Sequence, residues 1–102
     1  MAERGQVVAD MQEVSAGEAL VIRPPEGEEW VIHNIYHEVD AQLIRVKQID
    51  ASTTSEIVVD SHSGNGGWLG FAFHVTNTHY IKVENTSSSS GKIGYDGIIT
   101  RV

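Results

Sequence analysis

Turn-forming residues interrupt this chain at short intervals, at 15–17, 24–27, 50–55, 61–67, 76–78, 85–91 and 96–97. The stretches between them are rich in Val, Ile, Thr, Tyr and Trp, and none carries a sustained 3.6-residue period. Short β-prone runs bounded by Gly, Pro, Asn, Asp and Ser build sheets rather than helices. The pattern predicts strands over 6–9, 19–23, 29–37, 42–48, 56–60, 68–75, 79–84 and 92–101, the last bent at Asp96–Gly97. Residues 9–19 leave room for one helical turn around Met11 and Val14. About eight short strands in 102 residues predict an all-β domain, a single β-sandwich of jelly-roll or Greek-key-like topology. A small closed barrel is the alternative. The chain is one domain over 1–102, with residues 1–18 readable as an N-terminal arm.

Alternation within the strands assigns faces, because successive side chains point to opposite sides of a sheet. In the run from Trp68, the set Leu69, Phe71, Phe73 and Val75 is apolar and is predicted to face the core, opposite Trp68. Ile81 and Val83 are predicted inward, as are Ile44 and Val46. Around Trp30 both sets mix apolar and polar residues, which predicts a central strand partly covered on each side.

Charge narrows the partners. Fourteen acidic against seven basic residues leave a net charge of −7. A nucleic-acid binder or a protein held on an anionic membrane carries the opposite sign. The start of the chain, MAERGQVVADMQEV, lacks the apolar core of a signal peptide. With no cysteine, disulfides, a thiolate nucleophile and Cys-based zinc sites are excluded.

Catalytic and metal patterns are weak. His33 and His37 share a parity, but along a strand their Cβ atoms stand roughly 13 Å apart, too far for one metal. His74 and His79 flank a turn, His62 sits in DSHSG, and no H-x-H pair occurs. DSHSG holds the residue types of a serine triad, yet it reads as an Asx/Ser turn, and no G-x-S-x-G elbow is present. The glycine run SGNGGW lacks the Lys-Ser/Thr and the following helix of a phosphate loop. No catalytic residue, metal ligand or cofactor is assigned. NTSSSSGK reads as a flexible polar loop, and its Asn85-Thr86-Ser87 matches a glycosylation sequon.

Two features remain. Pro24, Pro25 and Gly27 form a stiff strand-to-strand corner ahead of Trp30. Trp68, Trp30 and Tyr80 are candidates for an interface anchor or a ligand-stacking surface.

The segment VSAGEALVIRPPEGEEWVIHNIYHE, followed later by WLGFAFHVTNTHYIKVENTSSSSGKIGYDGIITRV, resembles small β-sandwich virion proteins of tailed bacteriophages, including capsid decoration (cement) proteins and fibre modules. The resemblance implies a non-enzymatic protein, a homotrimer, bound to the major capsid protein or another virion protein. It implies location in the virion after assembly in the host cytoplasm. It also implies that the 1–18 arm orders against the lattice. Two rivals stay open. One is a carbohydrate- or receptor-binding module of a fibre or spike, which needs Trp68 with Tyr80 or Trp30 exposed on one face. The other is a small cupin-like metal protein, which needs three converging ligands.

Overall fold

The computed structural model describes residues 3–48, 56–64 and 67–102. Each segment between turns becomes a strand: β1 (Val7–Val14), β2 (Ala19–Ile22), β3 (Glu29–His37), β4 (Ala41–Gln48), β5 (Glu56–Gly64), β6 (Gly67–Thr76), β7 (His79–Asn85) and β8 (Gly91–Arg101). One sheet runs β1-β8-β3-β6 and the other β2-β7-β4-β5. The pairs β1–β8, β2–β7, β3–β6 and β4–β5 are nested, all antiparallel. The two halves of the chain thus form one long ribbon, folded back at β4–β5 and rolled into two packed sheets. That is the jelly roll, and it fulfils the sandwich expectation. The radius of gyration, 13.2 Å, is that of one compact unit of this length.

The core lies between the sheets. Ile32, Ile35, Phe73, Val75, Ile93, Tyr95 and Trp68 come from one side, and Leu20, Ile22, Leu43, Ile81 and Val83 from the other. Side-chain faces differ from the alternation reading because of bulges. On β3, Ile32 pairs with Gly97 and Asn34 with Asp96, so His33 is an extra residue. Towards β6 the same step pairs Ile32 with Phe73 and Asn34 with Leu69, leaving residues 70–72 opposite His33. Gly70 there takes a φ of 73°, a left-handed conformation that glycine adopts without a Cβ penalty. Each bulge shifts the parity. Ile32 and Ile35 therefore both point inward, which is why the strand looked mixed in sequence.

The bulge also corrects Trp68. It was predicted to oppose Phe73, but both are buried in the core. The side chains of Leu69 and Phe71 lie outside the described residues. A second correction concerns β4. Leu43 pairs with Val83 and is fully buried in the core, while Ile44 pairs with Lys82 and Val46 with Tyr80 on the opposite face. Val46 is buried there, outside the core cluster, and Ile44 is half-buried. The parity of Leu43 was obscured by Arg45 and Lys47, which share it and approach His79.

Two loop assignments change as well. The stretch read as an arm with a helical turn is β1, in unbroken register with β8 from Val7↔Ile98 to Val14↔Gly91. DSHSG is not a turn: it ends β5, with Asp60 paired to Arg45 and Gly64 to Ala41. The predicted turn at 50–55 and residues 65–66 of the glycine run lie outside the described residues, as does the side chain of His62.

At one end of the sandwich a single buried amide ties the loops together. Asn85 is fully buried. Its Nδ2 donates to the carbonyls of Val14 and Ser89, both at 2.9 Å, and its Oδ1 accepts from the Ser87 N–H and hydroxyl. Its backbone N–H donates to Glu18 O, its carbonyl accepts from Gly17 N, and the next N–H, of Thr86, reaches Asp40 O. The Ser-rich loop, read as flexible, is pinned at its root. Both amide hydrogens of the sequon asparagine are engaged, so in the folded chain Asn85 is no glycan acceptor.

Candidate functional site

The proline corner is built as the sequence predicts. Glu28 N–H closes the turn on Pro25 O at 3.1 Å, and Gly27 takes a φ of 93°. Pro24 is fully buried, and its carbonyl accepts Asn77 Nδ2 at 2.9 Å, while Arg23 Nε donates to Asn77 O at 2.7 Å. The corner is thereby clamped to the β6–β7 turn. Trp30, the second residue of β3, is half-buried against the core, its Nε1 donating to Glu28 Oε1 at 3.0 Å.

The three aromatic candidates do not meet. Trp68 is a core residue, its ring 5.1 Å from that of His37 and tilted by 41°. Tyr80 is buried on the other sheet, beneath the Arg23 guanidinium, which stands 4.4 Å from its ring centroid. Trp30 lies at the corner. The shared stacking face that a carbohydrate platform of these residues requires is not formed. The parity shift at His33 is the physical reason for the loss of Trp68.

The histidines spread likewise. His37 points into the core and contacts Val39 O through Nδ1, whereas His74 is exposed on the other side of its sheet. At the start of β7, burial and then the charges of Arg45 and Lys47 push the His79 pKa below its usual value, favouring the neutral ring. Among the described residues, no three His, Asp or Glu side chains come together to hold a metal.

What sequence reasoning missed is a face. On the outer side of the β1-β8-β3-β6 sheet, the register aligns Val7, Ile98, Val31 and His74 in one row. Ala9, Asp96 and Asn34 fill the next, then Met11, Gly94, Tyr36 and Gly67. Val7 is 68% exposed, Met11 57% and Ile98 36%. The middle row is polar but internally satisfied: Asn34 Nδ2 donates to Asp96 Oδ1 at 2.7 Å and Asn34 Oδ1 accepts Gly70 N–H at 2.9 Å. Gly94 leaves room for the Tyr36 ring, since a Cβ there would stand 2.5 Å from a ring carbon. Tyr36 donates its hydroxyl to Tyr95 O at 3.4 Å, and burial, then the Asp96 charge, raises its pKa. The result is a surface with exposed apolar residues on either side of a hydrogen-bonded polar centre that holds the Asp96 carboxylate. The available signal was the alternation of Val7, Ala9 and Met11 against Asp10 and Gln12, an edge strand with its apolar side turned outward.

Two clefts open at the end of the sandwich where β3 begins and β6 and β8 finish. One, of about 430 Å³, is lined by Glu26, Glu28, Glu29 and Arg101 with the β6–β7 turn. The other, of about 560 Å³, shares Glu29, Thr76 and Arg101 with the first, and Glu29 and Arg101 form an ion pair at 3.0 Å. No protein-family model matches the sequence, and no curated protein is a significant match to it.

Proposed function

We propose that this chain is a non-enzymatic structural protein of a tailed-bacteriophage virion, a capsid decoration protein that binds and stabilises the head lattice. The observation that carries the reading is the outer face of the β1-β8-β3-β6 sheet. Val7, Met11 and Ile98 are exposed there on strands of a four-stranded sheet rather than in a loop. A rigid sheet loses little entropy on docking, so its apolar rows contribute more of their burial to binding than mobile loops would. The hairpin resemblance supplies the class of partner, the major capsid protein. The jelly roll is compatible with this role but is shared by capsid proteins, lectins and cupins, so it does not select the function.

On this reading the protein is a homotrimer, located in the virion after assembly in the host cytoplasm. Trimer contacts cover strand edges that an isolated sandwich leaves open, and add stability to a small core. Light scattering on the purified chain is expected to give three times the 11.2 kDa protomer mass, independent of concentration over a hundredfold range. A concentration-independent monomer would remove the trimer from the proposal.

A further inference from the structure

The free edge of β1 carries backbone chemistry that the apolar rows of the outer face leave unused. We infer that this edge is completed by an extended segment of the lattice partner, alternating apolar and basic residues, which adds to the β1-β8-β3-β6 sheet as a fifth, antiparallel strand. The identity of the partner rests on the decoration reading, and the mode of binding rests on the edge itself.

Which groups are free follows from the start of the ladder. Gly5 N–H donates to Ile99 O at 2.7 Å, and Ile99 N–H donates to Gln6 O at 2.9 Å. Gly5 takes a φ of 87°, so this is a glycine bulge that turns the Gln6 carbonyl towards β8. In an antiparallel strand, alternate residues bond the same neighbour. The register is unbroken from Val7↔Ile98 to Val14↔Gly91, so Val8, Asp10, Gln12 and Val14 bond β8. Val7, Ala9, Met11 and Glu13 turn their N–H and carbonyl groups the other way, and only Val14 of the eight residues is buried. Among the described residues, one of these outward N–H groups has a partner: Met11 N–H donates to Asp10 Oδ1 at 2.9 Å.

Sheet edges are ordinarily blunted by shortness, proline, bulges or lysine. β2 has four residues and runs into Pro24 and Pro25. β6 is bulged at residues 70–72, and β5 is irregular opposite Arg45 and Val46. β1 has eight residues in regular register, with no proline and no basic side chain.

Charge and alternation set the occupant. Between Gly5 and Ile22 the chain carries Asp10, Glu13 and Glu18 and no Lys or Arg. A second copy of β1 would bring the same acids to the edge. An antiparallel strand bonded at Ala9 and Met11 places its residue opposite Asp10 in a non-hydrogen-bonded pair, where side chains stand closest. A Lys or Arg there pairs with the Asp10 carboxylate and frees the Met11 N–H for the incoming carbonyl. The residues on either side of that base face Ala9 and Met11 and extend the apolar rows of the docking face. Main-chain bonds then give affinity, and the alternation of side chains gives selectivity.

The test uses the intact ¹⁵N-labelled chain and no heads, so failure of the edge is told apart from failure of the decoration role. The probe is the capped peptide Thr-Val-Lys-Val-Lys-Val-Thr, followed by NMR. It is expected to shift the amide signals of Val7, Ala9, Met11 and Glu13 with a Kd on the order of 1 mM, and to leave those of β2 still. Two control peptides are expected to shift them at least fivefold less at equal concentration. One has Glu in place of Lys, and the other has the same residues in the order Thr-Lys-Lys-Val-Val-Val-Thr. Ala9→Pro removes an outward N–H without touching the bonds to β8, and is expected to weaken binding of the probe at least fivefold. Asp10→Asn, which leaves the main chain unaltered, is expected to weaken it at least threefold. β1 amides that stay fixed overturn the proposal. So does an equal response to the Glu peptide, which removes the charge requirement, or to the reordered peptide, which removes the alternation. Either variant binding as tightly as the parent also overturns it. β1 shifts that grow with protein concentration alone make a second copy the occupant and overturn it as well.

Discussion

Asn85→Ala is expected to lower the unfolding free energy by about 3–4 kcal/mol, read as a fall in the urea midpoint at unchanged slope. The amide satisfies two carbonyls, of Val14 and Ser89, and accepts from the N–H and hydroxyl of Ser87. Alanine removes all four bonds at a fully buried position and leaves a cavity that water fills poorly. The carbonyl of Val14 ends β1 and that of Ser89 belongs to the β7–β8 loop, so the loss reaches both the end of β1 and the loop that leads into β8. Asn85→Asp keeps the acceptor and loses both donors, while burying a charge. It is expected to be at least as damaging as alanine at pH 7. A cost below about 1 kcal/mol for alanine would mean that the loops hold without this latch.

Gly97→Ala has a comparable expected effect from a different cause. Gly97 pairs with Ile32 at the point where the bulge at His33 pushes the β3 backbone across β8. A Cβ there would overlap the Val31 carbonyl oxygen and stand 2.8 Å from Ile32 Cα. Both are main-chain atoms of a central strand, which cannot rotate aside as a side chain would. The sheet must part or the bulge must move. A loss of about 3 kcal/mol or more is expected, or failure to fold. Ile98→Ala, one residue away and 36% exposed on the outer face, serves as the control and is expected to cost only about 1 kcal/mol. If the two variants melt together, the bulge geometry at Gly97 is wrong.

These two residues also show where sequence reading stops. Strand positions were legible because turn chemistry is local: β3 starts and ends where the Pro-Gly corner and the alternation place it, and β2, β4, β6 and β7 agree within two residues. The faces were less legible, because a bulge is set by pairing between strands distant in sequence. His33 carries no mark of being an extra residue, yet it turns Ile35 and Trp68 inward. Edge strands were obscured for another reason. β1 buries only Val14 fully, so its outward Val7 and Met11 look like a weak strand rather than a surface. Asn85 was hidden by composition: asparagine followed by serines reads as a loop, and only the tertiary arrangement brings Val14, Glu18 and Ser89 to it. The proline corner was read correctly because its causes, fixed φ at proline and positive φ at Gly27, act within a few residues.

The proposed role rests on the outer face, which makes it separable from fold stability. Val7 and Met11 are exposed by more than half, so Val7→Glu with Met11→Glu leaves the core untouched. The deciding measurement is cosedimentation of the purified chain with expanded heads that lack it, from a tailed phage to which the proposed role assigns it. The account predicts saturable binding by the parent chain, and at least tenfold weaker binding by the Val7→Glu/Met11→Glu variant at equal thermal stability. Heads that bring down no parent chain would contradict the decoration role. Heads that bind both proteins equally would contradict the face assigned to it.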